Sequence, residues 1–391
     1  MERIHQLVQE QFDYMQAMRR TFHMNPEPSK EEFKTCRRIM EELSAMGLSP
    51  RVTAVTGVVV DIEGGKPGRA IGLRADTDAL SVQDLKEVPY RSKVDGISHA
   101  CGHDAHTAAL LGAAKVLLAV KDELSGTVRL LFQPAEELGW GALEMIADNC
   151  LEGLDATFAL HMAADLPAGK VDVSEGPRLM AANYFKYRID GSPGHGASPH
   201  LGVDAGLAMS ACVMNLQSVV SREFSSLEPL VVTVGKMEAG TRFNVIASQA
   251  HFEGTVRTFD PGIFNAVPDV MTRIIKETAA AFRCTAEEVF TERLTVPCVN
   301  PHLAHTRATK TAIKLFGDDS IVSKPMSAGG EDYSFMMEKV PDSLVCWIGC
   351  NNPEKGACHP HHAGLFDIDE DVLVVAAAMY AQYAIDFLCE V

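Results

Sequence analysis

Short apolar runs that break off at a chemically active side chain constrain this chain most. Four of them, Gly57 to Ile62, Ala70 to Arg74, Thr127 to Phe132 and Thr157 to Leu160, alternate with helical stretches such as His106 to Val120 and Gly141 to Ala147. Runs of this kind, bounded by turns, read as buried strands, and strands alternating with helices build an α/β sheet, at least partly parallel, with helices over its faces. Ahead of them Ile4, Leu7, Val8, Phe12, Met15 and Met18, then Phe33, Ile39, Met40 and Leu43, recur at about 3.6-residue spacing, which predicts two opening amphipathic helices.

Around residue 183 the pattern changes. Asn183 to Asp190 alternates polar and apolar residues, and an apolar-faced helix is expected over Asp204 to Ser221. Strand Leu230 to Lys236, strand Val245 to Phe259, helix Pro261 to Phe282 and strand Glu287 to Leu294 complete a βαββαβ order, that of a ferredoxin-like α+β unit. After Pro297 the helix-and-strand alternation resumes through Thr306 to Phe316, Ser343 to Gly349 and Asp371 to Leu388. The expected division is therefore a discontinuous domain, 1–182 and 295–391, interrupted by an insert at 183–294. A chain of 391 residues exceeds what one core usually serves.

Charge narrows the partners. With 35 Lys+Arg against 52 Asp+Glu the net charge is −17, which argues against nucleic acid or an anionic membrane as the partner. No export signal is read at the N-terminus, and the longest wholly apolar run, Val372 to Ala381, is about half of the ~20 residues a membrane span needs. The 10 Cys lack the spacing of a disulfide scaffold, so a soluble, reduced, cytoplasmic protein is expected.

The chemistry lies where the apolar runs end. His99, Cys101, His103 and His106 crowd one loop, and His359, His361 and His362 another. Cys101 and His103 flank a Gly before an apolar helix, where a thiolate and an imidazole can converge on one cation; the bland alternative is a helix start capped by Asp104. Glu136 and Glu137 follow the run Val128 to Phe132. Neighbours in extended chain point to opposite sides, so one carboxylate can hold a metal while the other faces what the metal holds; the alternative is an acidic helix N-terminus. Asp76, Asp78 and His161 also stand just past apolar runs. Cys, His and carboxylate together suit Zn²⁺, Mn²⁺, Co²⁺ or Ni²⁺ better than Ca²⁺ or Mg²⁺.

Residues 73–80 (LRADTDAL), 99–106 (HACGHDAH), 132–137 (FQPAEE), 194–200 (GHGASPH), 244–259 (NVIASQAHFEGTVRTF) and 362–366 (HAGLF) together resemble the aminoacylase and hippurate hydrolase family of metal-dependent amidohydrolases, which includes indoleacetyl-amino-acid hydrolases. The segment His23 to Glu27 looks like that family's opening. The resemblance implies a zinc-peptidase-like catalytic domain with a central mixed sheet, and an insert acting as lid and dimerisation domain. It implies two divalent ions bridged by Cys101 and held further by His103, Glu137, His161 and His362, the allotment of ligands between the ions being left open.

On the same resemblance Glu136 is the general base acting on a metal-activated water, and Asp76 orients a ligand rather than binding metal, since Arg74 stands where many relatives have His. His359 and His361 compete with His362 for the last ligand position, and spacing to Phe366 favours His362. His195 would stabilise the oxyanion in a partner subunit's site, with Asn244 and Arg257 on the substrate carboxylate. The implied activity is hydrolysis of N-acyl amino acids by a homodimer or dimer of dimers. Dipeptides, N-acetyl-diaminopimelate and aminobenzoyl-glutamate are the alternative substrates on the same scaffold. Two rivals of other classes are a thiol hydrolase with Cys101 as nucleophile and a binding protein with a closed structural metal site.

Overall fold

The computed structural model describes residues 2–390. The chain forms two compact units, one of Met1–Gly176, Val299–Pro325 and Asp332–Val391, the other of Pro177–Cys298 and Met326–Glu331. The short return segment Met326–Glu331 thus groups with the second unit, outside the span 183–294 read from sequence.

The first unit opens with three helices, α1 (Glu2–Gln9), α2 (Phe12–Met24) and α3 (Phe33–Ala45), rather than the two expected. The first apolar stripe is cut at residues 10 and 11, where the Gln11 N–H bonds the Val8 carbonyl at 2.9 Å, three residues back, and tightens the turn out of α-helical register. Then come β1 (Arg51–Thr53), β2 (Gly57–Glu63), β3 (Lys66–Asp76), α4 (His103–Val120), β4 (Ser125–Gln133), α5 (Gly141–Ala147), β5 (Ala156–Pro167) and β6 (Val171–Asp172).

The second unit contributes β7 (Ala181–Asp190), α6 (Ala205–Asn215), β8 (Leu230–Ala239), β9 (Gln249–Thr258), α7 (Pro261–Ala281) and β10 (Thr285–Thr295). The chain returns to the first unit through α8 (His302–Phe316), α9 (Tyr333–Lys339), β11 (Asp342–Asn351) and α10 (Val372–Cys389).

Seven strands of the first unit form one sheet in the order β1-β2-β4-β3-β5-β11-β6. The centre is parallel, β4 with β3, β3 with β5 and β5 with β11, while β1, β2 and β6 join antiparallel, so the sheet is mixed. The fold class is α/β. The first five residues of β5 are all buried because helices cover both its faces. Phe158 shows how: its ring stacks on Tyr383 at 4.3 Å and meets Tyr380 edge-on at 5.8 Å, both from α10. By length and composition α10 could cross a membrane, but 78% of it is buried inside the protein, the position of a core helix.

In the second unit the sheet order is β10-β7-β9-β8, all antiparallel, with α6 and α7 on one face. The alternation in β7 is the expected one: Phe185, Tyr187 and Ile189 face the helices, while Tyr184, Lys186 and Arg188 do not. Helix α6 ends at Asn215 instead of running to Ser221. Ser218 Oγ donates to the Asn215 carbonyl at 2.7 Å and so competes with the helical ladder. Strand β9 starts at Gln249, four residues later than read, because Val245 to Ala247 pair with the loop holding His195 and with the start of α6 instead.

Candidate metal centre

Strand β3 ends on Asp76, α4 starts on His103, β4 leads into Glu136 and Glu137, and β5 carries His161. Strand ends of an α/β sheet thus bring these groups to one region of the first unit. Gly102, at φ 95°, turns the chain between Cys101 and His103 in a left-handed geometry that other residues resist. A Cβ there would stand 3.1 Å from the Met162 side chain.

Four histidines of the region fall into different classes by their hydrogen bonds. In His106 both ring nitrogens are engaged, Nδ1 with Asp76 Oδ1 at 2.5 Å and Nε2 accepting from the Met162 N–H at 2.8 Å. Burial holds its pKa down to about 4, against the pull of Asp76, so it stays a neutral structural group. In His103 only Nδ1 is engaged, with the Asp78 carbonyl at 3.0 Å and Asp78 Oδ1 at 3.2 Å. His161 places Nδ1 on the Met162 carbonyl at 2.7 Å and turns Nε2 to Cys101 Sγ at 3.5 Å. His361 accepts the Ala164 N–H through Nε2 at 3.2 Å. The imidazoles of His103 and His161 therefore present Nε2 in fixed orientation, the arrangement that metal-binding histidines use.

His362 reaches the same region from the last loop. Its N–H bonds the Ala100 carbonyl at 2.8 Å, and the loop behind it is tied by Leu85 N–H to the Gly364 carbonyl and Lys86 Nζ to the Phe366 carbonyl, both at 2.8 Å. His362 sits at φ 62°, a left-handed conformation that costs a non-glycine residue on the order of 1 kcal/mol and clusters at functional sites. Its Nε2 lies 3.5 Å from Glu137 Oε1, and the nearness of Cys101 and Glu137 pushes its pKa up to about 10.

Among the groups whose ligand atoms lie within 4.8 Å of one another are Cys101, Glu137 and His362; His103, Glu136 and Glu137; and Asp76, His103, His106 and His161. Neither His359 nor His361 belongs to such a group among the described residues. Glu136 and Glu137 converge instead of pointing apart. Ala135 takes a left-handed φ of 50° and Glu136–Leu138 forms a 3₁₀ turn, so the extended-chain expectation fails there. Glu32 secures this turn: its Oε1 accepts the Ala135 N–H and its Oε2 accepts Thr56 Oγ1–H, each at 2.8 Å.

These residues fit divalent cations. His103 Nε2 and Glu137 Oε1 are buried, 3.9 Å apart, and neither makes a hydrogen bond. Two such atoms left without partners would cost several kcal/mol in all, unless something between them satisfies both. Burial works against charge at Cys101, yet the neighbouring histidines hold its thiol well below the usual range. Burial likewise opposes a charge on His103, and Asp76, Asp78 and Cys101 outweigh it and hold its pKa well up. A cluster that binds a proton this tightly at Nε2 offers a cation the same negative surroundings.

Asp76 is not the group that holds His103. Its Oδ2 takes Arg74 Nη1 at 2.8 Å and its Oδ1 takes His106, while His103 Nε2 stays 3.7 Å from Oδ2, beyond hydrogen-bond distance. Arg74 also reaches Gln133 Oε1 at 2.8 Å and Asp332 Oδ1 at 3.2 Å, a buried network that joins three segments distant in sequence. Nor does Asp104 cap α4. Its Oδ2 accepts from Arg19 Nε at 2.8 Å and His23 Nδ1 at 2.7 Å, pinning the ligand-bearing helix to α2. Arg19 has no mark in the sequence as a site group, and Asp78 only its place just past an apolar run, because their partners lie elsewhere in the chain. The only signal was the carboxylate of Asp78 itself, two residues past Asp76.

The other predicted residues lie in the second unit. His195 is exposed and bridges to Val245, next to Asn244, whose carbonyl accepts the Gly196 N–H at 3.0 Å. Arg257 donates through Nη1 to the Ala328 carbonyl at 3.1 Å.

A mixed sheet whose strand ends gather Cys, His and Glu within reach of one another is a site of the kind metal-dependent hydrolases use. Comparison with known proteins makes this specific: residues 72–386 match the model of peptidase family M20/M25/M40, and the chain belongs to that family. N-acetylcysteine deacetylase of Bacillus subtilis is 39% identical over 94% of this chain and 95% of its own. IAA-amino acid hydrolase ILR1-like 4 of Arabidopsis thaliana is 38% identical over 97% of this chain and 87% of its own. Among solved structures, the YXEP protein of Bacillus subtilis, described as a dinuclear metal binding peptidase of the M20 family, superposes with a TM-score of 0.84 at 34% identity, covering 97% of this chain and 99% of that one. The protein is a hydrolase that acts on amides.

Proposed function

We propose that this protein hydrolyses the amide bond of N-acyl amino acids, releasing a carboxylic acid and a free amino acid, with two divalent ions of the Zn, Mn, Co or Ni type. The observation that carries this reading is the pair of buried atoms on His103 and Glu137, with Cys101, His161 and His362 around them. Cys101 would be shared, His103 and His161 holding one ion and Glu137 and His362 the other. Bound there, such ions polarise a carbonyl and bring the pKa of water from ~15.7 toward ~7.

The chain's own part is proton handling and binding. Glu136 takes the proton of the attacking water and delivers it to the leaving amine, a role open to a carboxylate whose neighbour, Glu137, is the one committed to metal. His195 is assigned to the oxyanion, Asn244 and Arg257 to the substrate carboxylate. The ten cysteines, among which the described residues form no disulfide, support a cytoplasmic setting.

Exhaustive chelation is expected to abolish hydrolysis of a panel of N-acyl amino acids, and Mn²⁺, Zn²⁺, Co²⁺ or Ni²⁺ to restore it. Activity that survives chelation would overturn the reading in favour of the Cys101 thiolate as nucleophile. Failure on every N-acyl amino acid, with dipeptides cleaved, would overturn the substrate assignment alone.

The same reading includes a homodimer through the second unit. Strand β8 lies at its sheet's edge, and Val231 and Met237 on it are 46% and 45% exposed, as are Leu207 and Met214 on α6 at 56% and 71%. An edge strand flanked by exposed apolar side chains is a template for a second copy of itself. Sedimentation should show twice the 42.4 kDa chain mass, and the double variant Val231→Glu, Met237→Glu should sediment as a monomer. A wild-type monomer at micromolar concentration would refute this.

A further inference from the structure

Asp78 touches both halves of the site. Its Oδ1 and its carbonyl oxygen lie 3.2 and 3.0 Å from His103 Nδ1, while its Oδ2 accepts the Glu137 N–H at 3.1 Å and Ser29 Oγ–H at 2.6 Å. The carboxylate is 1% exposed. We propose that Asp78 is the positioning residue of the metal centre, a side chain that fixes both His103 and Glu137, one ligand of each proposed ion. This rests on the metal-hydrolase reading given above.

His103 donates through Nδ1 to Asp78, which fixes the tautomer and leaves Nε2 as a lone-pair donor aimed at Glu137 Oε1, 3.9 Å away. Glu137 follows the strained Ala135, and its own N–H is anchored on the second oxygen of the same carboxylate. A displacement of Asp78 thus moves a ligand of each proposed ion. Asp76 is turned to other partners, Arg74 on Oδ2 and His106 on Oδ1, and makes no hydrogen bond to the Glu137 N–H. Ser29 supplies the fourth contact and prevents the carboxylate from rotating.

Asp78→Asn separates this role from a merely structural one. An amide has one acceptor oxygen, so its NH₂ must face either His103 Nδ1–H or the two donors Glu137 N–H and Ser29 Oγ–H, and one arm is lost either way. Co²⁺ titration followed by calorimetry and by the thiolate-to-cobalt absorption band is expected to show affinity for at least one ion lowered by about 10–100-fold, with a shifted spectrum. Ser29→Ala removes one charge-assisted hydrogen bond to Asp78 but neither ligand contact, so a smaller loss of affinity than that of Asp78→Asn is expected.

Should Asp78→Asn fail to fold, Asp78→Glu keeps the buried charge while moving its oxygens by one methylene, and the same weakened, spectrally shifted uptake is expected. Wild-type-like affinity and spectrum in either folded variant would overturn the assignment while leaving the metal reading intact. Wild-type protein that takes up no Co²⁺ at all would overturn the metal reading, and this assignment with it.

Discussion

Glu136→Gln is expected to lower the turnover of N-acyl amino acids by about 10²–10⁴-fold, the usual contribution of a positioned general acid–base group. The side chain keeps its size and the turn its shape, since what holds the turn is Glu32 on the Ala135 N–H and Asp78 on the Glu137 N–H. Glu137 and the other ligands are untouched, so the content of divalent ions should match wild type. The loss should fall on kcat, because proton transfer belongs to the transition state and adds little to ground-state binding. The rival readings expect otherwise. A Cys101 nucleophile with an imidazole base needs neither carboxylate, and a closed structural metal site needs no spare one. A variant with more than about a third of wild-type turnover would therefore refute the assigned role of Glu136, since acid–base catalysis worth so little would fall far below its usual range.

Cys101→Ala should have the second large effect. Loss of a group that merely orients a ligand costs about 10–100-fold in metal affinity or activity, and loss of a ligand shared by two ions should exceed that. The surrounding histidines hold the thiol's pKa well down despite its burial, and Sγ lies 3.5 Å from His161 Nε2. On the dinuclear reading, the His103–His161 pair and the Glu137–His362 pair would then lose their common anion. Activity should drop to background, but activity alone does not discriminate, because a thiol hydrolase would lose it too. Metal content decides: the dinuclear reading expects ion stoichiometry to fall from two, whereas a nucleophilic cysteine predicts unchanged uptake.

Much of this was legible in one dimension because each strand of the central sheet is apolar until the residue where it leaves the core. Asp76, Glu136 and His161 are conspicuous at such breaks, and the motif HACGHDAH marks the start of α4 by its glycine. The βαββαβ order of the second unit was equally legible, since period-two and period-3.6 patterns need no partner to be read. What could not be read was which of several similar groups has a nitrogen or oxygen left over. His103 and His106 stand three apart on one helix and look alike in sequence. Only the fold spends both nitrogens of His106, on Asp76 and on the Met162 amide, and one nitrogen of His103, on Asp78.

The extended-chain argument for Glu136 and Glu137 failed for a related reason. It presumed strand geometry to continue past β4, but Glu32, 103 residues away along the chain, captures the Ala135 amide in a left-handed turn. Periodicity reports on neighbours three or four positions apart, and it is silent on a hydrogen bond of that span. The amino-acid order by itself determined the layering, the family and the pool of ligand-type residues, because these follow from local pattern and residue type. Which members of the pool face one another with unshared lone pairs, and which are consumed in the buried networks of Arg19, Arg74 and Asp104, was decided only by tertiary structure, because hydrogen-bond valence is allotted between segments that meet nowhere but in the folded chain.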